Sequence, residues 1–456
     1  MELSLEQVGE AIDRFMGQDV EAIARKTKFV QRTSEMSGQC FLQTMVFGGI
    51  EKPQPSLNGW AQVSADLGVQ ITGQGLDQRI TENAVAFLKQ MLSQAIGRLK
   101  NHVSLPLEVL QQFNGIYLTD SSAIALPDSM AQDYQGSGGD GPQAGLKVQL
   151  VFEFLLGNLT HIALRAGREP DQSYRDYIHI LEEGSLSITD LGYFVLDAFK
   201  EIMYERQAYF LSRLNTKTGL LTSAGEDIDL LSLAQSCGRE AFEIDVLVGK
   251  RRKHQLPCRL IALPVPQQVA DRRREKTKKK ARRQGRGIRK RTLALMGWTF
   301  FVTNVPADML SIEQIAALYA VRWQIELVFK LCKSYCGLDY IAGYRRERIL
   351  VELYAKLIGV VLTHFLVAPL RMSYGAHTNR EISPVKVRQI FQRFARGLNR
   401  SLGDYPKFQS ELSEMLTHIR RFGFKEKRTK EPNVCHALAL VSVLCSIDAD
   451  TGNEYA

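Results

Sequence analysis

Cysteine is scarce and unpaired in this 456-residue chain. The seven residues stand at 40, 237, 258, 332, 336, 435 and 445, an odd number with no CxxC knuckle. That pattern argues against both a disulfide framework and a knuckle-type zinc site. Cys332 and Cys336 are one helical turn apart, but no second ligand pair accompanies them, so packing is the plainer reading beside a metal site. No apolar run reaches the roughly 20 residues needed to span a bilayer. The longest, Leu357 to Leu370, has 14 residues, contains His364 and reads as a buried helix. A basic-then-apolar leader is also missing, since "MELSLEQVGEAIDRF" reads as an acidic amphipathic helix. The expectation is a cytoplasmic protein with no membrane partner. No internal repeat is evident.

What remains is ordinary globular composition, 45% hydrophobic and 23% charged, in a chain long enough for two to four domains. The net charge of +9 is unevenly distributed. Residues 272–291, "RRREKTKKKARRQGRGIRKR", hold 13 Lys and Arg against one Glu, a local +12 that leaves −3 for all other residues. Such a cluster gains affinity for nucleic acid by releasing counterions from phosphates. A solvated basic loop or a contact with another anionic surface are the alternatives.

A different charge pattern marks "LYAVRWQIELVFKLCKS", residues 318–334. At 100° per residue, Tyr319, Arg322, Glu326 and Lys333 fall within an arc of roughly 60°. Most of the remaining circumference is apolar, the reverse of a solvated surface helix. Charges held on a largely packed helix need partners such as metal ions, phosphates or each other. Lys330 is either an i,i+4 partner of Glu326 or a further cation for phosphate.

Residues 1–107 read as helical. Within "SLNGWAQVSADLGVQITGQGLDQRITENAVAFLKQML" (56–92), Ser56 caps a helix, Gly68 stops it, a short second helix follows, and Thr81 caps a third. This punctuation is compatible with a helix-turn-helix offering Gln74, Gln78 and Arg79 to a DNA groove, and equally with a plain helical bundle. From 108 to 215 the periods predict three strands, helix, strand, helix, strand. "GIYLTDSS" reads as a short strand ending at Asp120, and "SLSITDLGYF" as one ending at Asp190. Residues 216–307 read as a β-rich insertion with two strands around a basic turn, a mobile cationic loop over 272–291, and the strand "WTFFVTNVP". A helical segment resumes at the N-cap Ser311 and closes the core over 308–372. Residues 373–456 read as helical, with "CHALALVSVLC" (435–445) as a final apolar stretch.

Three carboxylates stand out in this order. Asp120 and Asp190 lie 70 residues apart at strand ends, and Glu326 lies 136 residues further on a helix. If the two strands are sheet neighbours, both aspartates share a rim to which a packed helix can add Glu326. Three carboxylates together are costly unless cations neutralise them, and oxygen-only sites suit Mg²⁺ or Mn²⁺. Two such ions support in-line phosphoryl transfer. Singly, Asp120 reads as a turn residue and Asp190 as an N-cap.

The chain resembles the IS4-type DDE transposases of bacterial insertion sequences. Its Tyr319, Arg322, Glu326 and Lys333 reproduce that family's Tyr-x₂-Arg-x₃-Glu-x₆-Lys signature. "YLTDSS" and "ITDLGYF" are similar to the two Asp motifs, and "GWTFFVTNVP" to the tryptophan-containing strand. The resemblance is firm over about 113–340 and looser at both ends. It implies an α/β fold: an RNase H-like catalytic core with a β-rich insertion, flanked by helical N- and C-terminal regions. It implies that Asp120, Asp190 and Glu326 hold two Mg²⁺, and that Tyr319, Arg322 and Lys333 grip DNA backbone. It also implies cleavage of terminal inverted repeats, a hairpin intermediate, joining to target DNA, and a homodimer dimerising through its C-terminal region. Trp298 would stack on a flipped base, the alternative being a core tryptophan. Many relatives have Arg after the second Asp, where this chain has Leu191, which puts one auxiliary DNA contact in question. Two rival expectations stand beside this one: a non-catalytic DNA-binding protein, and a nuclease on the same core that never joins ends.

Overall fold

A computed structural model describes residues 5–105, 110–138, 141–250, 255–375 and 381–426, without the side chains of residues 5 and 372–375. The apolar stretch 435–445, and residues 251–254 of the basic turn, lie outside the described residues. The N-terminal helices are α1 (Leu5–Gly17), α2 (Val20–Lys26), α3 (Gly38–Glu51), α4 (Leu57–Asp66), α5 (Gly73–Arg79) and α6 (Glu82–Arg98). Strands β1 (Ile116–Leu126), β2 (Ala144–Glu153), β3 (Asn158–Ala166) and β4 (Leu186–Thr189) follow. Next come α7 (Leu196–Lys200), β5 (Tyr209–Arg213), β6 (Leu220–Leu221), β7 (Asp227–Ile228), α8 (Leu230–Ser236), β8 (Phe242–Val248) and β9 (Leu256–Pro264). The remainder is α9 (Gln267–Arg283), α10 (Lys290–Leu295), β10 (Trp298–Thr303), α11 (Ile312–Val321), α12 (Trp323–Lys330), α13 (Arg346–Gly375), α14 (Pro384–Ser401) and α15 (Tyr405–Phe422).

The chain forms two compact units, each built from separated segments. Among the described residues, the first comprises 5–105, 120–138, 141–169, 323–375 and 381–426, the second 110–119, 170–250 and 255–322. In the first, α13 is the central helix. Within Arg346–Arg371 it carries an 18-residue window with a mean hydropathy of 1.8, apolar enough to cross a membrane by length and composition, yet that window is buried in protein. It packs against α3, α6 and α14. Polar ties join early and late helices. Gln392 Nε2 donates to the Glu51 carbonyl at 2.8 Å, Arg396 pairs with Glu51 at 2.8 Å, and Arg400 pairs with Asp66 at 2.5 Å. The N- and C-terminal helical regions, drawn apart by sequence order, therefore share one unit. Ser56 and Thr72 cap α4 and α5 through their side chains, whereas Thr81 precedes α6 without such a bond.

In the second unit, β1 pairs in parallel with β4, and β4 with β5. β10 then pairs antiparallel with both β5 and β9, and β8 follows β9. The insertion strands thus lengthen the same sheet. Read through β1, whose residues 116–119 belong to the second unit and 120–126 to the first, the first five strands run 3-2-1-4-5. That order, with parallel β1, β4 and β5 beside the antiparallel β2–β3 pair, is an RNase H-like core.

Two sequence expectations need correction here. β1 does not end at Asp120 but continues to Leu126, because ladder bonds to β2 override the turn preference of Ser121 and Ser122. The basic block is not mainly a loop. Residues 267–283 form α9, and Lys290 opens α10. Lys, Arg, Gln, Glu and Ala are all good helix formers, and the high charge obscured that propensity.

Candidate active site

β4 is buried at all four residues, and the chain first emerges at the half-exposed Asp190. Asp190 has extended backbone and opens a 3-10 turn whose Tyr193 N–H donates to the Asp190 carbonyl at 3.0 Å. Leu191, immediately after it, is 38% exposed, unusual for a leucine beside a polar site. Tyr319, near the end of α11, packs its ring 4.8 Å from Phe301. Burial, and then the charge of Asp190, push the Tyr319 hydroxyl up to about 12, against the opposing pull of Arg322 and Arg213. The Arg322 guanidinium carbon lies 6.0 Å from the Tyr319 ring centroid. One acid, one phenol and two guanidinium groups therefore share an electrostatic neighbourhood within the second unit.

α11 starts as its sequence foretells. The Ser311 hydroxyl accepts from the Gln314 N–H, and the Gln314 side chain accepts from the Ser311 N–H, completing a capping box. Arg322 keeps helical dihedrals between α11 and α12. The segment Leu331–Tyr335 is a π-helix, a local widening often found at functional sites.

In the first unit, Asp120 lies inside β1, half-exposed, and its Oδ1 accepts from the Ser121 N–H at 2.8 Å. Glu326 is half-exposed on α12 and Lys330 is exposed. Lys333 does something the sequence did not announce. Its ammonium donates to the Ala123 carbonyl at 2.7 Å, tying the segment after α12 to the strand that carries Asp120. Gly337 ends this segment with φ +62°, and a Cβ there would stand 2.8 Å from the Pro53 carbonyl oxygen, so only glycine fits. Cys332 and Cys336 are buried, burial pushes both thiols up, and Arg388 Nε donates to the Cys336 sulfur at 3.4 Å. They are packing residues.

Asp120, Asp190 and Glu326 offer only hard carboxylate oxygens, a donor chemistry suited to Mg²⁺ or Mn²⁺. Among the described residues, however, no group of three or more His, Cys, Asp or Glu could hold a metal ion. Two of the three carboxylates belong to the first unit and Asp190 to the second. Trp298 is half-exposed on β10, edge-on to Phe242 at 5.7 Å and stacked near Phe300 at 6.2 Å. Gln74, Gln78 and Arg79 are all exposed on α5.

Sequence reasoning missed Arg213. It is the cation of β5 that pairs with Phe301 in register and stands near Tyr319. A lone arginine closing an apolar strand was the available signal. It also missed Trp323, which is 56% exposed directly after Arg322. A tryptophan amid helical apolar residues reads as core, and only the fold reveals otherwise.

Comparison with known proteins bears on the same segments. The chain is 25% identical over 454 residues to the transposase for insertion sequence element IS231F of Bacillus thuringiensis subsp. israelensis, covering 95% of this chain and 94% of the relative. It is 25% identical to the transposase for IS1151 of Clostridium perfringens, covering 93% and 94%. Over 155 residues it is 32% identical to the putative transposase InsL for IS186A of Escherichia coli K12, 33% of this chain and 42% of that one. A solved piggyBac transposase synaptic complex with hairpin DNA aligns with a TM-score of 0.47 and 9% identity, covering 95% and 84%. A family profile described as the transposase DDE domain matches residues 111–362, more than half of the sequence. The chain therefore belongs to the DDE-domain transposases and is a DNA transposase of the IS4 type.

Proposed function

We propose that the chain cleaves the ends of an insertion sequence and joins them to target DNA, with Asp120, Asp190 and Glu326 as the catalytic carboxylates. The observation that carries this reading is a register. Thr119 pairs with Thr189 on adjacent parallel strands, and the two aspartates are the next residue on each. Glu326 follows on the helical run tied by Lys333 to β1. The family works with divalent metal ions, and two Mg²⁺, replaceable by Mn²⁺, are the finer reading for these three side chains. Held by these three carboxylates, such ions would supply Lewis-acid chemistry, lowering the pKa of an attacking water or 3′-hydroxyl and offsetting charge on the leaving oxygen.

The other residues bind and orient DNA. Tyr319, with its hydroxyl held up at about 12, stays protonated at neutral pH and remains a hydrogen-bond donor for a phosphate oxygen. Arg322 presents a two-pronged fork to phosphate, and the exposed Lys330 a point charge. The half-exposed Trp298 ring supports a base displaced during a hairpin step. Gln74, Gln78 and Arg79 read the terminal repeat, and a homodimer joined through residues 373–456 holds both ends in the cytoplasm.

The test is a nicking assay on duplexes carrying the terminal repeat. Wild-type protein nicks in the presence of Mg²⁺ or Mn²⁺ and then yields hairpin and strand-transfer products. Glu326→Ala reduces cleavage to background while retaining end binding. Undiminished cleavage by that variant overturns the assignment. A second reading, a DNA-binding protein without catalysis, draws on the lack of a ready-made group of three metal ligands among the described residues. It predicts end binding with no metal-dependent product in the same assay.

A further inference from the structure

α9 is fastened along one side only. Arg273 donates from Nη1 to the Trp298 carbonyl at 3.0 Å and from Nη2 to the Thr299 hydroxyl at 3.1 Å. Arg274 donates from Nε to the Leu293 carbonyl at 3.1 Å and pairs with Asp271 at 2.8 Å. Ala270 is buried on the same side. These bonds fix the helix on β10 and α10 within one unit and set the orientation of the opposite face.

That face is uniformly cationic. At 100° per residue, Arg272, Lys276, Lys279, Lys280 and Arg283 occupy an arc of about 100°, and over the twelve residues from 272 to 283 they form a stripe about 16 Å long. All five are exposed. Neither acidic residue of the helix falls in the arc, since Asp271 and Glu275 lie on its flank. The pairs 272/276, 276/280 and 279/283 are like charges at i,i+4 spacing, each mildly destabilising to an isolated helix. A linear polyanion laid along the stripe relieves that repulsion.

We propose that this face binds the sugar-phosphate backbone of duplex DNA without regard to base sequence, as a surface separate from the catalytic carboxylates. The proposal rests on the reading of the chain as a DNA transposase, but not on which residues cleave. Duplex DNA fits because its phosphates recur along a line at spacings this stripe can follow. A membrane surface fits poorly, because the exposed face carries no apolar side chain to insert between lipids. Sequence readout is not the role of this face, since its side chains are point charges and single forks aimed outward along a ridge.

The experiment uses the full chain and a fluorescent duplex of about 30 base pairs with random sequence and no terminal repeat, titrated between about 50 and 200 mM salt. The variant K276Q/K279Q/K280Q/R283Q is compared with the charge-preserving K276R/K279R/K280R/R283K. At roughly 0.9 per phosphate contact, the neutral variant flattens the slope of log K against log salt by about 3.6, while the charge-preserving variant keeps the wild-type slope. An unchanged slope in the neutral variant overturns the proposal, and so does an equal loss in both variants. Binding of anionic phospholipid vesicles that the neutral variant alone loses, with DNA slopes unchanged, assigns the face to a membrane and likewise overturns it. Failure of the catalytic reading looks different: no metal-dependent nicking by wild-type protein, with the slopes behaving as stated.

Discussion

His364 sits inside α13 with its imidazole fully enclosed, its Nε2 without a hydrogen-bond partner and its ring 5.8 Å from that of Phe152. Burial, and then the charge of Arg371, hold it down at about 4. The ordinary value in the unfolded chain is about 6.5. Between those values only the unfolded chain takes up the proton. The stability contributed by the neutral ring is thus complete above pH 6.5 and is lost as pH falls toward 4. Wild-type protein should lose about 2 kcal/mol from this residue between pH 7 and pH 5, and His364→Leu should remove that component. Urea denaturation of both proteins at the two pH values checks this, and equal pH dependence in the two excludes His364 as the source. Nothing in the sequence foretold such an environment beyond a histidine in an apolar run. The carboxylates proposed as catalytic were more legible, because Asp120, Asp190 and Glu326 stand in local motifs that survive without knowledge of their neighbours. Arg213 was invisible for the opposite reason: its meaning comes from Tyr319, more than a hundred residues away.

Helices and strands show the same division between local and distant causes. Starts marked by caps were readable, as at Ser56 and Ser311, because one side chain satisfies its own helix. The far end of β1 was not, since its last residues owe their extended form to β2. The docking of α12 depends on distant pairing as well. Lys333 was expected to grip phosphate, yet its ammonium donates to the carbonyl of Ala123 on β1. A charged bond of this kind aligns a helix against a strand, and a misplacement of about 1 Å at a catalytic group can cost a hundredfold in rate. Lys333→Met should therefore depress cleavage by about a hundredfold while leaving the salt slope of end binding intact. The check pairs a single-turnover nicking assay with a salt titration of end binding. A slope reduced by about 0.9 with little change in rate would return Lys333 to the phosphate contacts.

On the scale of the molecule, sequence order misleads most. Residues 1–107 read as a separate end-binding domain, yet α3 has twelve of its fourteen residues buried, so it has no face left for solvent. Its partners include α13 and α14, and α6 also packs on α13. Apolar periodicity announces that a face will be covered, but not by which segment. A fragment of residues 1–106 made alone should consequently lack a cooperative thermal transition and fail to bind the terminal repeat. Circular dichroism on heating and an end-binding titration measure both, and a sharp melt with native-like helix content would mean that these helices suffice for their own core.

The same interleaving sets a timetable for biosynthesis. At about 5 to 20 residues per second, the ribosome needs roughly 10 to 50 s after completing α6 before α13 begins to emerge. Throughout that interval the greasy sides of the earliest helices wait uncovered, open to chaperones and proteases. A nascent chain released before α13 is made cannot close this unit, so DNA-cleaving competence waits on that helix.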